Sequence, residues 1–244
     1  KVLGCAWVMG CFGNLSIIGS IAGKPMIVIG LSDIHGQTAA MDRLGNILQK
    51  ADVVVLAGDI TNFGNARHAG RVVESVRRYA GCVLGVPGNC DYPGVDSYLD
   101  QEGMNLHAKS RVIRDIGFAG LGGSLFTPFH TPNEHSEIDV RRFLSGAAAG
   151  LPENFPFALV SHQPPINTKC DRIRSGRHVG SRVLREFIEM RQPMVCITGH
   201  IHESVDTDRI GDTTIINPGR FGKGRYAYVE IRDGITSAEI RPIA

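Results

Sequence analysis

The chain has 244 residues, of which 43% are hydrophobic and 20% are charged, a length and composition typical of a single α/β domain. Its 30 glycines and 12 prolines are too few for a collagen-like or disordered chain. The net charge of +2 lacks the overall basic field of dedicated nucleic-acid-binding proteins. We therefore expect no dedicated nucleic-acid-binding segment, and any anion-binding site must be local.

The first segment, residues 1–25, differs from the rest of the chain. Residues 2–23 carry no charged side chain, a length that meets the criterion for a membrane-span candidate. Glycines and polar residues interrupt it, and its most apolar part, residues 2–12, suits the hydrophobic region of a signal peptide better. Three interpretations stay open: an appended or mis-started extension, a secretory signal, or a membrane anchor. We expect residues 26–244 to form one domain located in the cytoplasm, unless the first segment directs secretion or anchoring.

From residue 26 onward, short apolar runs alternate with amphipathic stretches, the pattern of βαβ units. The predicted buried strands are residues 26–31, 53–56, 82–86, 157–160 and 194–197. Apolar residues at helical spacing predict helices between the first three strands and between the last two. Two-residue turns at 211–212 and 233–234 predict antiparallel hairpins near the C-terminus. The pattern indicates an α/β fold with helices outside one mixed sheet or two sheet layers, and with long loops at 122–136 and 163–180.

The six cysteines are scattered, without a Cys-x-x-Cys pair. A chain of this length builds enough core to need no disulfides, and zinc sites of structural type use closely spaced cysteine pairs. We therefore expect reduced thiols and no structural zinc.

Each predicted buried strand runs into a polar residue able to bind a metal ion. These residues are Asp33 and His35, Asp59, Asn89, His162, and finally His200 and His202. Each alone is more often a helix cap, a turn residue or a structural histidine. Ligands at the carboxyl ends of neighbouring strands, however, converge on one crevice of an open α/β sheet. Taken together, the set predicts a metal site.

In chain order, the blocks Asp-x-His, Gly-Asp, Gly-Asn-x-Asp, His and Gly-His-x-His resemble those of the calcineurin-like metallophosphoesterases, especially small archaeal and bacterial phosphodiesterase-type members. The resemblance spans residues 26 to about 220. It implies an αββα four-layer sandwich with mixed sheets. It also implies two divalent ions. The first would be held by Asp33, His35, Asp59 and His202, and the second by Asp59, Asn89, His162 and His200.

The reaction implied is hydrolysis of a small phosphoester, favouring a phosphodiester, by in-line attack of a hydroxide that bridges the two ions. The residues assigned to catalysis are Asp59, Asn89, Asp91 and His200. Imidazole, carboxylate and amide ligands suit Mn, Fe, Ni, Co or Zn better than Mg or Ca. Two rival functions stay open: a catalytically silent scaffold on the same fold, and a nuclease of the same family.

Two further features concern the substrate. Cys90 stands where many relatives place a histidine that assists the leaving group, and a small buried thiol is the simpler interpretation. The loop after His162 is locally basic, and Arg174, Arg177 and His178 are predicted to contact an anionic substrate. The alternative for these residues is a solvated surface.

Overall fold

Two β-sheets packed face to face, with helices on both outer sides, make up the fold seen in a computed structural model that describes residues 24–232 and 235–244. The first sheet has the strand order β13-β12-β1-β2-β3. Its strands are β1 (Met26–Leu31), β2 (Val53–Ala57), β3 (Val83–Val86), β12 (Arg225–Arg232) and β13 (Ile235–Pro242). Three helices cover its outer face: α1 (Met41–Leu48), α2 (Ala66–Arg77) and α3 (Pro93–Gln101).

The second sheet has the order β10-β11-β9-β8-β5-β4. Its strands are β4 (Ser110–Ile113), β5 (Ile116–Leu121), β8 (Phe157–Ser161), β9 (Val195–Thr198), β10 (Asp206–Ile210) and β11 (Thr213–Asn217). Its outer face is covered by α4 (Glu137–Ala149) and α5 (Arg182–Arg191). A small parallel pair, β6 (Ser124–Leu125) with β7 (Glu134–His135), lies in the loop region 122–136.

Three hydrophobic layers explain why the central strands have continuous apolar sequences. In β1, Val28 packs between the two sheets while its neighbour Ile29 packs under the helices, and neither is exposed. Phe118 and Val160 enter the same inter-sheet layer from the second sheet. A strand covered on both faces has no solvent side and therefore no polar alternation. This arrangement confirms the predicted αββα sandwich.

The predicted strands are confirmed with small shifts at their ends, and both C-terminal hairpins pair antiparallel as expected. One hairpin belongs to each sheet, which the sequence pattern left open. The second predicted turn, at 233–234, and the expectation for residues 1–23 lie outside the described residues. Within 24–232 and 235–244, no helix combines the length and apolarity needed to cross a bilayer.

The parallel strands bring their carboxyl ends to one edge of the sandwich. β1, β2 and β3 run parallel in one sheet, as do β5, β8, β9 and β11 in the other. The loops that follow these two sets of strands therefore meet, and little space is left between them. Gly58, directly after β2, has a φ of +83° and faces His162 of the other sheet, whose Nδ1 would lie 2.3 Å from an added Cβ.

Gly58→Ala is expected to reduce the free energy of unfolding by about 2–5 kcal/mol, because it combines left-handed backbone strain of ~1–2 kcal/mol with a steric clash. Gly103→Ala is the matched control, since Gly103 has a φ of +66° but nothing within 4 Å of its added Cβ. Gly103→Ala should reduce the free energy of unfolding only by the ~1–2 kcal/mol that the backbone strain costs. Urea unfolding measures both. Equal losses would show that the contact with His162 does not constrain this position.

Candidate metal centre

The expected metal ligands lie on the loops that follow the strands, four of them in backbone conformations uncommon for residues with a Cβ. Asp33, His35, Asp59 and His200 all have positive φ angles, between 46° and 68°. Such strain persists only where the surroundings hold it, and it concentrates at functional sites. Backbone bonds hold it here: Asp33 N donates to the Gly58 oxygen at 3.1 Å, and His35 N donates to the Asp59 oxygen at 2.8 Å.

One cluster of ligands lies between the loops after β1, β2 and β9. Its members are Asp33, His35, Asp59 and His202, whose candidate ligand atoms all lie within 4.8 Å of one another. His202 Nε2 lies 3.1 Å from Asp33 Oδ1 and 3.3 Å from His35 Nε2. His35 Nε2 lies 3.6 Å from Asp59 Oδ2. This is a group of nitrogen and oxygen donors able to hold a metal ion.

A second cluster lies beside the first. Asn89 Oδ1 lies 2.8 Å from His162 Nε2 and 2.9 Å from His200 Nδ1. His162 Nε2 in turn lies 3.4 Å from Asp59 Oδ1. Asp59 therefore turns one carboxylate oxygen to each cluster. The structure brings all seven expected ligands together.

The charge states of these groups suit a cation. Burial lowers the pKa of His35, and it lowers that of His200 to about 4, so both imidazoles keep a lone pair for a metal. Burial alone would raise the pKa of Asp33, but the hydrogen bond and charge of His202 and the charge of His162 hold it below its usual range. The hydrogen bond to Asp33 in turn raises the pKa of His202. Positive charge is thus favoured beside Asp33.

Hydrogen bonds to residues outside the two clusters determine which atoms of His162 and Asn89 turn toward the metal site. His162 Nδ1 donates to the carbonyl oxygen of Ala57 at 2.9 Å, which turns Nε2 toward the second cluster. Asn89 Nδ2 donates to Thr131 Oγ1 at 2.9 Å, and Thr131 Oγ1 donates to Glu134 at 2.6 Å. The amide of Asn89 is thereby oriented with Oδ1 toward the histidines. These partners fit a metal site and would hold its ligands in place.

Asp91 does not face the cluster, which corrects its expected catalytic assignment. Its buried carboxylate accepts hydrogen bonds from the backbone N–H groups of Ile60, Thr61 and Gly88, and from the Thr61 hydroxyl, at 2.6–3.0 Å. Four donors in a buried position leave this carboxylate fully engaged. Asp91 is a positioning residue that ties the loop after β2 to the loop after β3.

The predicted substrate contacts divide in two. Arg174 and Arg177 line the same cavity as His35, Asn89, His200 and His202. His178 does not line it, because its Nδ1 is paired with the buried carboxylate of Asp171 at 2.6 Å. Asp171 also accepts the N–H groups of Thr168 and Gly180. His178 therefore stabilises the loop, and its expected contact with substrate stays a prediction.

Cys90 lies at the floor of this cavity, beside the second cluster. Its backbone N–H donates to Asp59 Oδ1 at 2.8 Å. Burial, reinforced by the charge of Asp59, raises the pKa of its thiol above the ordinary value. Cys90 is therefore a neutral, small side chain at neutral pH rather than a thiolate nucleophile.

Sequence reasoning missed the aromatic side of the cavity. Phe63, Phe126 and Phe129 line it, and so does Thr131, the partner of Asn89. The sequence feature that could have indicated it is the pair of phenylalanines in the long loop 122–136. Exposed aromatic residues in a long loop indicate ligand binding rather than core packing.

The histidine–carboxylate clusters at the strand ends of this sandwich could hold metal ions, and comparison with known proteins shows the family. Residues 26–234 match the calcineurin-like phosphoesterase superfamily domain. The uncharacterized protein MJ1162 of Methanocaldococcus jannaschii is 39% identical over 199 residues, which cover 80% of this chain and 88% of that protein. The chain therefore belongs to the calcineurin-like phosphoesterase superfamily.

Solved structures share the fold. The crystal structure of TT1561 of Thermus thermophilus aligns with a TM-score of 0.70 at 17% identity, covering 91% of this chain and 100% of that one. A purple acid phosphatase from yellow lupin seeds aligns with a TM-score of 0.59 at 11% identity, covering 90% of this chain and 52% of that one. The architecture is thus common to proteins of very different sequence.

Thr131→Val is expected to weaken Mn²⁺ binding by about 10–100-fold, the usual effect of removing an outer partner of a metal ligand. Thr131→Ser keeps the hydroxyl and should bind within a few-fold of wild type. Thr127→Val is the control, because Thr127 bonds to Glu134 but not to Asn89. Isothermal titration calorimetry measures all four proteins. Unchanged affinity in Thr131→Val would show that Asn89 does not need this partner.

Proposed function

We propose that the protein hydrolyses a small phosphodiester with two divalent ions, one at each ligand cluster. The observation that supports this most directly is the position of Asp59. Its Oδ2 faces His35 at 3.6 Å and its Oδ1 faces His162 at 3.4 Å. A carboxylate shared by two adjacent clusters of imidazole and oxygen donors is the arrangement that two neighbouring cations need.

Two bound divalent ions would supply a polarised phosphate and a water of lowered pKa. The residues of the chain hold that arrangement. Asp33 and His202 would complete the first cluster, and Asn89, His162 and His200 the second. The mixed histidine, carboxylate and amide donors favour Mn, Fe, Ni, Co or Zn, without selecting one.

The surroundings of the clusters support a diester with a good leaving group. The adjoining cavity has a volume of about 750 Å³, which leaves room for organic groups beyond the phosphate. Arg174 and Arg177 at its rim would neutralise the negative charge of the substrate. At the position where a histidine would donate a proton to a basic leaving group, this chain has the neutral thiol of Cys90. Since a general acid contributes ~10²–10⁴-fold, activated aryl esters are the expected fast substrates.

Asp59→Asn should lower kcat/KM for bis(p-nitrophenyl) phosphate by more than about 100-fold, because even outer partners of metal ligands contribute 10–100-fold. Removing metal with a chelator should abolish turnover, and Mn²⁺ or Co²⁺ should restore it. Asp52→Asn is the control, since Asp52 pairs with Arg114 and accepts the Ile27 N–H, outside both clusters.

The same assay, with p-nitrophenyl phosphate, cyclic nucleotides, and single-stranded DNA and RNA added, separates the rival functions. We expect the diester to be cleaved faster than the monoester. A metal-stripped protein with full activity would contradict the two-ion proposal. A metal-loaded protein that cleaves none of these compounds would instead support a silent scaffold, and one that cleaves only single-stranded DNA or RNA would support a nuclease.

A further inference from the structure

The cavity beside the metal centre is much larger than a phosphate group requires. Its volume of about 750 Å³ falls within the range of sites that enclose a whole organic ligand. One wall comes from residues 122–136 and a second wall from residues 163–180, the two long loops of the sequence. The chemistry of these walls therefore reports on the organic part of the substrate.

The first wall is aromatic and exposed. Phe126 is 73% exposed and Phe129 is 83% exposed, and Phe63, after β2, is 52% exposed beside them. Apolar area in water is unfavourable by roughly 25 cal/mol per Å². Three such side chains grouped around one cavity are therefore typical of a ligand site rather than of ordinary surface.

Hydrogen bonds within the loop that carries the aromatic wall fix its conformation. Glu134 accepts the Thr127 hydroxyl, the Thr131 hydroxyl and the Thr131 N–H, at 2.6, 2.6 and 2.8 Å. Phe129 N donates to Thr127 Oγ1 at 3.2 Å. These hydrogen bonds hold the backbone of the segment that carries Phe126 and Phe129. The two rings therefore stay exposed instead of packing onto the core. Apolar side chains held in place in this way lose little conformational freedom when a ligand binds.

The second wall carries planar cations. Arg174 and Arg177 are both exposed at the cavity. Over residues 24–232 and 235–244, neither guanidinium forms an ion pair with a carboxylate. A guanidinium stacks on the face of a π system as well as pairing with an anion. An alkyl chain would use the phenylalanines alone, whereas a flat ring would use both walls.

We propose that one substituent of the substrate phosphodiester is a large planar aromatic ring system, bound between the phenylalanine wall and the two arginines. This inference rests on the proposed function for the placement of the phosphate at the metal centre. Each well-formed aromatic contact contributes about 2–10-fold in affinity beyond buried area. A two-ring substituent touching more than one phenylalanine should therefore bind at least 10-fold more tightly than a non-aromatic group of similar area.

The test uses a matched series of phosphonates, which bind without being hydrolysed. Methylphosphonate, phenylphosphonate, decahydro-1-naphthylphosphonate and 1-naphthylphosphonate are titrated into the Mn²⁺-loaded protein by calorimetry. We expect phenyl to bind more tightly than methyl, and naphthyl to bind at least 10-fold more tightly than decahydronaphthyl, its saturated counterpart of similar area. Equal affinity for decahydronaphthyl and naphthyl would overturn the aromatic assignment in favour of general apolar volume. Equal or absent binding across the whole series would overturn it outright.

Variants localise the effect. Phe126→Leu and Phe129→Leu keep an apolar side chain without the ring, and each should reduce the naphthyl-to-decahydronaphthyl affinity ratio at least about 2-fold. Phe126→Trp should restore or increase the ratio. Met190→Ala is the control, because Met190 is 73% exposed on α5 but does not line the cavity. A ratio that survives both leucine variants would place the aromatic site elsewhere and contradict the proposal.

A parallel hydrolysis series distinguishes this inference from the proposed function. The substrates are p-nitrophenyl diesters with the same four second substituents, so the leaving group is constant. Selective binding of naphthylphosphonate without any hydrolysis would leave the aromatic site standing and contradict the phosphodiesterase proposal. Hydrolysis of all four diesters at equal kcat/KM, with no binding preference, would leave the phosphodiesterase proposal standing and overturn the aromatic site.

Discussion

Buried negative charge at the junction of the two sheets is the constraint on which the rest of this structure depends. Asp33 and Asp91 are fully buried and Asp59 is 2% exposed, and a buried carboxylate is tolerated only when it is neutralised or hydrogen-bonded. Asp91 is satisfied by loop N–H groups and the Thr61 hydroxyl. Asp33 and Asp59 instead face imidazoles, two of which burial keeps uncharged. Their negative charge suits a bound cation, and Asp33 and Asp59 lie close enough to His35 and His202 to hold one.

That arrangement depends on contacts between loops of the two sheets. Gly58 leaves room for His162, whose Nδ1 donates to Ala57 at the end of β2. Thr131 orients Asn89 from a loop of the second sheet. The same loop carries Phe126 and Phe129, and its Glu134 accepts hydrogen bonds from Thr131, the partner of Asn89, and from Thr127 beside the phenylalanines. The proposed metal and substrate sites therefore share one hydrogen-bonded segment.

The parts of the fold that could be predicted are those where burial imposes a pattern. β1, β2 and β8 are covered on both faces, so their apolar runs stand out, and the residue after each run marks the strand end. α4 was missed because its alanine-rich sequence has a weak apolar face, and β4 because its middle residues are exposed. Asp91 was misassigned because sequence does not give the direction of a loop side chain. Its carboxylate, like the Nδ1 of His178, turns toward partners within the loops.

The most direct test of a shared Asp59 is the number of metal ions bound by each chain and the distance between them. Mn²⁺ is titrated into the metal-free protein and followed by electron paramagnetic resonance. We predict saturation at two ions per chain, with an exchange-coupled spectrum at the second equivalent, because Asp59 would bridge ions roughly 3.5–4 Å apart. Saturation at one ion per chain, or two ions with uncoupled spectra, would contradict a shared carboxylate at the centre of the site.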